Sequence, residues 1–231
     1  MVMVMRVPVI AINYKAYKTA FGEKAVQIAK SAEKISKEIG IEIIVIPPYT
    51  ELRRIVELVD IPVYAQHAEP VNLGAHTGYI PLPILKEIGV KGTLLNHSEH
   101  RIKLDEIVRG VQIAKSHGLE VLVCADTAEA SAAVAAISPT AIAVEPPELI
   151  GTGIAVSKAK PELVINTVKA VKEVNKEVII LTGAGITNAE DVEAAIKLGT
   201  AGVLVASAIM KAHNPEKVIR EMAEAAYKTW K

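Results

Sequence analysis

The chain has 231 residues, 51% of them hydrophobic, with 26 basic and 26 acidic side chains. That balance gives no global field to attract nucleic acid or an anionic membrane, and no apolar run reaches the roughly 20 residues of a membrane span. The single cysteine, Cys124, excludes an internal disulfide and points to a reducing cytoplasm. The start, Met1 to Arg6, is apolar but too short for a signal peptide, so no leader is expected. Lysine outnumbers arginine 20 to 6 and glutamate outnumbers aspartate 22 to 4, a skew shared by proteins of thermophiles. With one Phe and one Trp, the core must be aliphatic.

Short β-branched runs alternate with helical patterns along the whole chain. Residues 7–12 predict a strand, and 23–39 a helix with Val26, Ile28, Ala29, Ala32, Ile35 and Ile39 on one side. Strand 41–46 precedes helix 52–59, strand 61–65 precedes the short helix 83–88, and strand 92–95 precedes helix 104–117. Strand 120–123 leads to helix 128–137, strand 141–144 to helix 161–174, strand 178–181 to helix 188–198, and strand 202–205 to helix 215–230. Most of these strands are continuously apolar, as expected when both faces are buried. Gly40, Gly89, Gly118 and Gly199 stand where left-handed C-caps belong. Pro161 and Pro215 stand in first turns, and Thr187 or Asn188 supplies an N-cap.

Eight strands alternating with eight helices predict an α/β fold: a closed (β/α)8 barrel spanning 1–231 as a single domain. A doubly wound open sheet is the alternative. In the barrel, chemistry belongs at the C-terminal ends of the strands. Capable residues gather there: Asn13 and Lys15 after the first strand, Asn96-His97-Ser98-Glu99 after the fourth, Glu145 after the sixth, Gly183-Ala184-Gly185 after the seventh, and Ala206-Ser207 after the eighth.

Each has a bland counterpart. Glu145 could belong to a proline-capped surface turn. Its position suggests instead a base entering a stiff Pro146-Pro147 step, followed by a lid that Gly151-Thr152-Gly153 hinges. Lys15 could be an ordinary surface lysine; facing the cleft, it is a fixed cation beside the Asn13 amide. His97 could be structural; placed where a short helix would start, it would stay neutral and donate to a substrate oxygen. His97 and His100 stand at i, i+3, but no carboxylate or cysteine set accompanies them, so no metal is expected. Glu99 at the barrel mouth needs a cation, and Lys15 is the natural partner. The glycines after the seventh strand let backbone N–H groups approach an anion.

Together these residues resemble triosephosphate isomerase over essentially the whole chain. The motifs are Asn13-x-Lys15, Gly74-Ala75-His76-Thr77-Gly78, Asn96-His97-Ser98-Glu99, Cys124, Glu145-Pro146 with Ile150-Gly151-Thr152-Gly153, and Gly183-Ala184-Gly185. The short length and the Pro-Pro-Glu-Leu-Ile lid are similar to the archaeal branch. The resemblance implies the TIM-barrel fold and interconversion of dihydroxyacetone phosphate and D-glyceraldehyde 3-phosphate through an enediolate, without a cofactor or metal. It implies Glu145 as the base, His97 as a neutral electrophile, Lys15 and Asn13 on the substrate, and Glu99 behind Lys15. It implies a phosphate bracketed by Ile150, Gly151, Gly153, Gly183, Ala184, Gly185, Ala206 and Ser207. The resemblance also implies a neutral histidine and a water-excluding lid. The Gly74–Gly78 loop implies a homo-oligomer, a tetramer rather than a dimer, in the cytoplasm.

The chain departs from the family pattern in three places. His100, followed by Arg101, stands where an arginine is usual. Pro147-Glu148-Leu149 replaces the aromatic of the lid, and Thr182-Gly183-Ala184-Gly185 replaces Tyr-Gly-Gly-Ser. Two rivals remain. A Schiff-base aldolase, or another phosphosugar barrel such as an isomerase of amino-acid biosynthesis, would share the anion site. The aldolase would want a lysine inside a late strand. A non-enzymatic binding module would have lost one of Asn13, Lys15, His97 or Glu145.

Overall fold

The computed structural model describes residues 5–146 and 155–231. Its elements run β1 (Val9–Asn13), α1 (Gly22–Ile39), β2 (Glu42–Ile46), α2 (Tyr49–Val56), β3 (Tyr64–Ala65), α3 (Leu82–Glu87), β4 (Gly92–Leu95), α4 (Leu104–Ser116), β5 (Glu120–Ala125), α5 (Ala128–Ala135) and β6 (Ala141–Val144). After residues 147–154 they continue with α6 (Val156–Ala159), α7 (Pro161–Val174), β7 (Ile179–Thr182), α8 (Ala189–Lys197), β8 (Gly202–Val205), α9 (Ser207–Met210) and α10 (Pro215–Trp230). All eight expected strands and eight expected helices are present. The short α6 and α9 are additions, since four residues carry no readable helical period. Helix α2 starts three residues early, and β3 shortens to Tyr64 and Ala65.

Every strand pairing is parallel, in the order β2-β1-β8-β7-β6-β5-β4-β3. The two end strands meet through one parallel bridge, Val45 to Val63, with Val45 N donating to Pro62 O at 3.1 Å. That bridge nearly closes the (β/α)8 barrel. Helix stops follow the sequence signals: Gly40 adopts φ +83° and donates to Ser36 O at 2.9 Å. Asn188 caps α8 by accepting from Asp191 N at 3.0 Å.

The core has two layers, set by the period of 2 along each strand. Val9 and Ala11, Ile44 and Ile46, Leu122 and Cys124, Ala141 and Ala143, Leu181 and Leu204 fill the barrel interior. The intervening Ile10, Ile12, Ile43, Val45, Val121, Val123, Ile142, Ile180 and Val203 pack outward against the helices. This alternation positions the site. The next inward position is Asn13 at the end of β1, Glu145 after β6, Gly183 after β7 and Ala206 after β8.

Candidate active site

A cleft at the C-terminal ends of the strands is lined by Asn13, Lys15, Tyr17, His97, Glu145, Gly183, Gly185, Ile186, Thr187, Ala206 and Ser207, among others. The inward ladder delivers Asn13, Glu145 and Gly183 directly. Lys15 and His97 arrive through left-handed turns. Lys15 has φ +48° and Asn96 has φ +59°, conformations that cost free energy in non-glycine residues. Each is held by several bonds. Asn13 Oδ1 accepts from Lys15 N at 3.0 Å, and Lys15 O accepts from Gln66 Nε2 at 3.0 Å. Asn96 donates from Nδ2 to Cys124 O at 3.0 Å, and its Oδ1 accepts from Ile102 N at 3.1 Å.

Glu145 is buried, 3% exposed, with its N–H on Ala125 O at 2.7 Å. Pro146 follows and disfavours a helical turn at the carboxylate. Burial pushes the carboxyl pKa above its ordinary value. The field of His97, a hydrogen bond with Cys124 and the Lys15 charge pull the other way, while Glu99 adds to the rise. The same contact and the same burial push the Cys124 thiol well up, so it stays protonated. Glu145 Oε2 has no hydrogen-bond partner among the described residues. Oε1 lies 3.6 Å from His97 Nε2, too far for a hydrogen bond. A buried carboxylate and an imidazole thus face each other without a hydrogen bond between them.

The expected helix start at His97 is corrected. Residues 97–100 form a tight turn in which His100 N donates to His97 O at 2.8 Å, and α4 begins only at Leu104. The ring is fixed by a different contact: the Glu99 backbone N–H donates to His97 Nδ1 at 3.1 Å. A nitrogen that accepts carries no proton, so the proton sits on Nε2, toward Glu145. Lys15 Nζ meets Glu99 Oε1 at 2.7 Å. Glu99 lies outside the cleft lining and reaches it through its carboxylate on Lys15 and its amide on His97.

The glycine cradle also changes. Gly183 N donates to Val144 O at 3.0 Å, so its amide belongs to the sheet. Its missing side chain is what the site uses: a Cβ there would lie 2.5 Å from Glu145 Cγ. Gly185 has φ +73° and lines the cleft. Ala184 is buried against Val164 and does not line it. Ala206 and Ser207 do, where α9 starts and its first amides lack partners within the helix. Ile150, Gly151 and Gly153, with the rest of the expected lid, lie outside the described residues. Tyr17, Gln66 and Ile186 went unread in the sequence, although each stands within four residues of a strand's end, where the barrel rule would have found them; Thr187 was read only as a helix cap.

The triosephosphate isomerase family model matches residues 8–222. A triosephosphate isomerase of Caldivirga maquilingensis is 54% identical over 220 residues, 95% of this chain and 98% of its own. One of Methanocaldococcus jannaschii is 55% identical over 213 residues, 92% and 97% of the two chains, and one of Methanothermus fervidus is 50% identical over 215 residues, 93% and 97%. The chain belongs to the triosephosphate isomerase family.

Proposed function

We propose that this chain interconverts dihydroxyacetone phosphate and D-glyceraldehyde 3-phosphate, serving glycolysis and gluconeogenesis. The observation that carries the reading is the pair of Glu145 Oε1 and His97 Nε2, 3.6 Å apart in a cleft that also holds Lys15. A proton beside a carbonyl is weakly acidic; removing it takes a desolvated carboxylate and a donor aimed at the developing oxyanion. Glu145 takes the C1 proton of dihydroxyacetone phosphate. His97 Nε2–H and Asn13 hold the oxygens of the enediolate, and His97 moves a proton between them. Glu145 then returns its proton to C2. Lys15 binds the enediolate and phosphate charge, backed by Glu99. The phosphate sits among Gly185, Ala206, Ser207 and the main chain near Gly183 and Ala184. Ile150, Gly151 and Gly153 complete its cover in the lid inferred from the sequence.

Two further readings accompany it. The exposed Gly74–Gly78 loop, with Leu73 and Tyr79 exposed beside it, supports a homo-oligomer, a tetramer before a dimer. The balanced charge and lone buried Cys124 support a one-domain enzyme of the reducing cytoplasm. No described helix is long and apolar enough to cross a membrane. No lysine occurs in β5 to β8, where a Schiff-base aldolase would need one. The test is a coupled assay of purified, metal-free protein on glyceraldehyde 3-phosphate across a range of temperatures. Rapid formation of dihydroxyacetone phosphate is expected; no conversion at any temperature would overturn the reading.

A further inference from the structure

The residue that departs from the family pattern, His100, has a defined place. Its ring stacks on His67, with centroids 4.1 Å apart and planes inclined by 23°. His67 is buried, and its Nδ1 finds no hydrogen-bond partner among the described residues. Its backbone is pinned, because His67 O accepts from Tyr49 Oη at 3.0 Å. The neighbouring Gln66 donates from Nε2 to both Lys15 O and Ile46 O. The segment after β3 therefore touches Lys15 from behind through Gln66 and the 97–100 turn through His67. That turn carries Glu99, whose carboxylate meets the Lys15 ammonium.

We propose that the His67–His100 stack is a positioning clamp that holds the 97–100 turn so that Glu99 fixes Lys15 for phosphate binding. Neither ring lines the cleft, so both act through Glu99. The inference rests on the reading that Lys15 binds the substrate phosphate. An aromatic pair of this kind is worth enough to change a dependent affinity by roughly 2- to 10-fold.

The clamp also responds to acid. Tyr49 of α2, Glu69, Glu106 of α4 and His100 are the titratable groups around His67. Burial, then the proximity of His100, holds the His67 pKa below its ordinary value, with Glu69 and Glu106 opposing. A proton on the buried His67 puts a charge against the His100 ring with no hydrogen-bond acceptor at its Nδ1, and so loosens the stack.

A double-mutant cycle decides the matter, read in parallel as KM for glyceraldehyde 3-phosphate and as the dissociation constant for inorganic phosphate. His100→Ala is expected to raise both by roughly 2- to 10-fold with kcat little changed, and His100→Phe to restore both to within about twofold of wild type. On a Glu99→Gln background, His100→Ala is expected to change nothing further, because the clamp has no counter-ion left to place. As pH falls through the lowered pKa of His67, the wild type should lose affinity more steeply than His100→Phe, which meets the same substrate titration without the second imidazole. An equal cost of His100→Ala in both backgrounds, no cost at all, or a His100→Phe variant as weak as His100→Ala would overturn the clamp. Phosphate binding that follows the cycle in a protein with no isomerase activity would spare the clamp and remove the proposed reaction instead.

Discussion

Both ends of this barrel bury carboxylates, and they treat them in opposite ways. At the floor, Glu42 accepts from Arg6 N at 3.0 Å and Arg6 Nε at 3.1 Å. Glu120 accepts from the Tyr64 hydroxyl, and its other oxygen lies 3.7 Å from Lys91 Nζ. The Tyr64 ring reaches Glu120 by crossing β4 at Gly92, where a Cβ would sit 2.8 Å from the ring. At the mouth, Glu145 is as deeply buried; its Oε2, like Glu120 Oε1, has no hydrogen-bond partner among the described residues, and its Oε1 faces the His97 ring at 3.6 Å instead of a hydroxyl or an ammonium. Burial raises both Glu120 and Glu145 above the ordinary carboxylate pKa. A raised pKa alone therefore does not mark a catalytic group. Nor does an unpartnered oxygen, since Glu120 Oε1 lacks a hydrogen bond just as Glu145 Oε2 does; what differs is the neighbour, a lysine ammonium 3.7 Å from Glu120 and an imidazole 3.6 Å from Glu145.

The contrast breaks first at Glu145. Glu145→Gln is expected to lower kcat by about 100- to 10,000-fold with KM little changed, read by steady-state kinetics. Lys15→Ala removes a donor and the phosphate's cation together. It should cost about 100- to 1000-fold in kcat/KM and abolish phosphate binding by calorimetry. Gly183→Ala forces the new Cβ against Glu145 Cγ. A displacement of the carboxylate on the order of 1 Å should cut kcat by roughly 100-fold while circular dichroism and thermal melting stay near wild type.

At the floor the readout reverses. Tyr64→Phe leaves a Glu120 oxygen without its hydrogen bond and should lower unfolding free energy by about 1–3 kcal/mol in denaturant titration, with kcat within about twofold of wild type. The smallest effect is a pH slope. The folded-state pKa of Glu120 lies above the unfolded value, so the stability tied to its proton is complete below the unfolded pKa and is lost as pH rises through the folded pKa. Glu120→Gln should flatten that slope. The raised pKa of Glu145 gives the opposite sign in activity: kcat/KM falls as pH drops through it, at a higher pH than a free carboxylate would show.

The sequence makes one of these ends far more legible than the other. Asn13, Lys15, His97 and Glu145 are readable because the barrel rule says where chemistry sits, and the period of 2 then aims Asn13 and Glu145 inward. The contact that fixes the His97 ring is not readable from the sequence. A helix start was expected, and the work is done by the Glu99 amide in a turn, a contact that depends on Asn96 entering φ +59°. Gly183 reads as an anion donor, but its absent side chain matters for a neighbour on the adjacent strand, which no local pattern encodes. The floor network joins Arg6, Glu42, Tyr64, Lys91 and Glu120 from separate parts of the chain, so spacing carries no trace of it. The stack of His67 on His100 escapes for the same reason.

The central claim is that Glu145 carries a proton between two substrate carbons. Proton NMR of dihydroxyacetone phosphate turning over in deuterium oxide, with wild type beside Glu145→Gln, tests it most directly. The account predicts wild-type product whose C2 carries in part hydrogen moved from C1 and in part solvent deuterium exchanged onto Glu145, and at least about 100-fold slower product formation by the variant while it still binds phosphate. A variant that forms product within about threefold of the wild-type rate would contradict the claim, since a general base is worth at least about 100-fold.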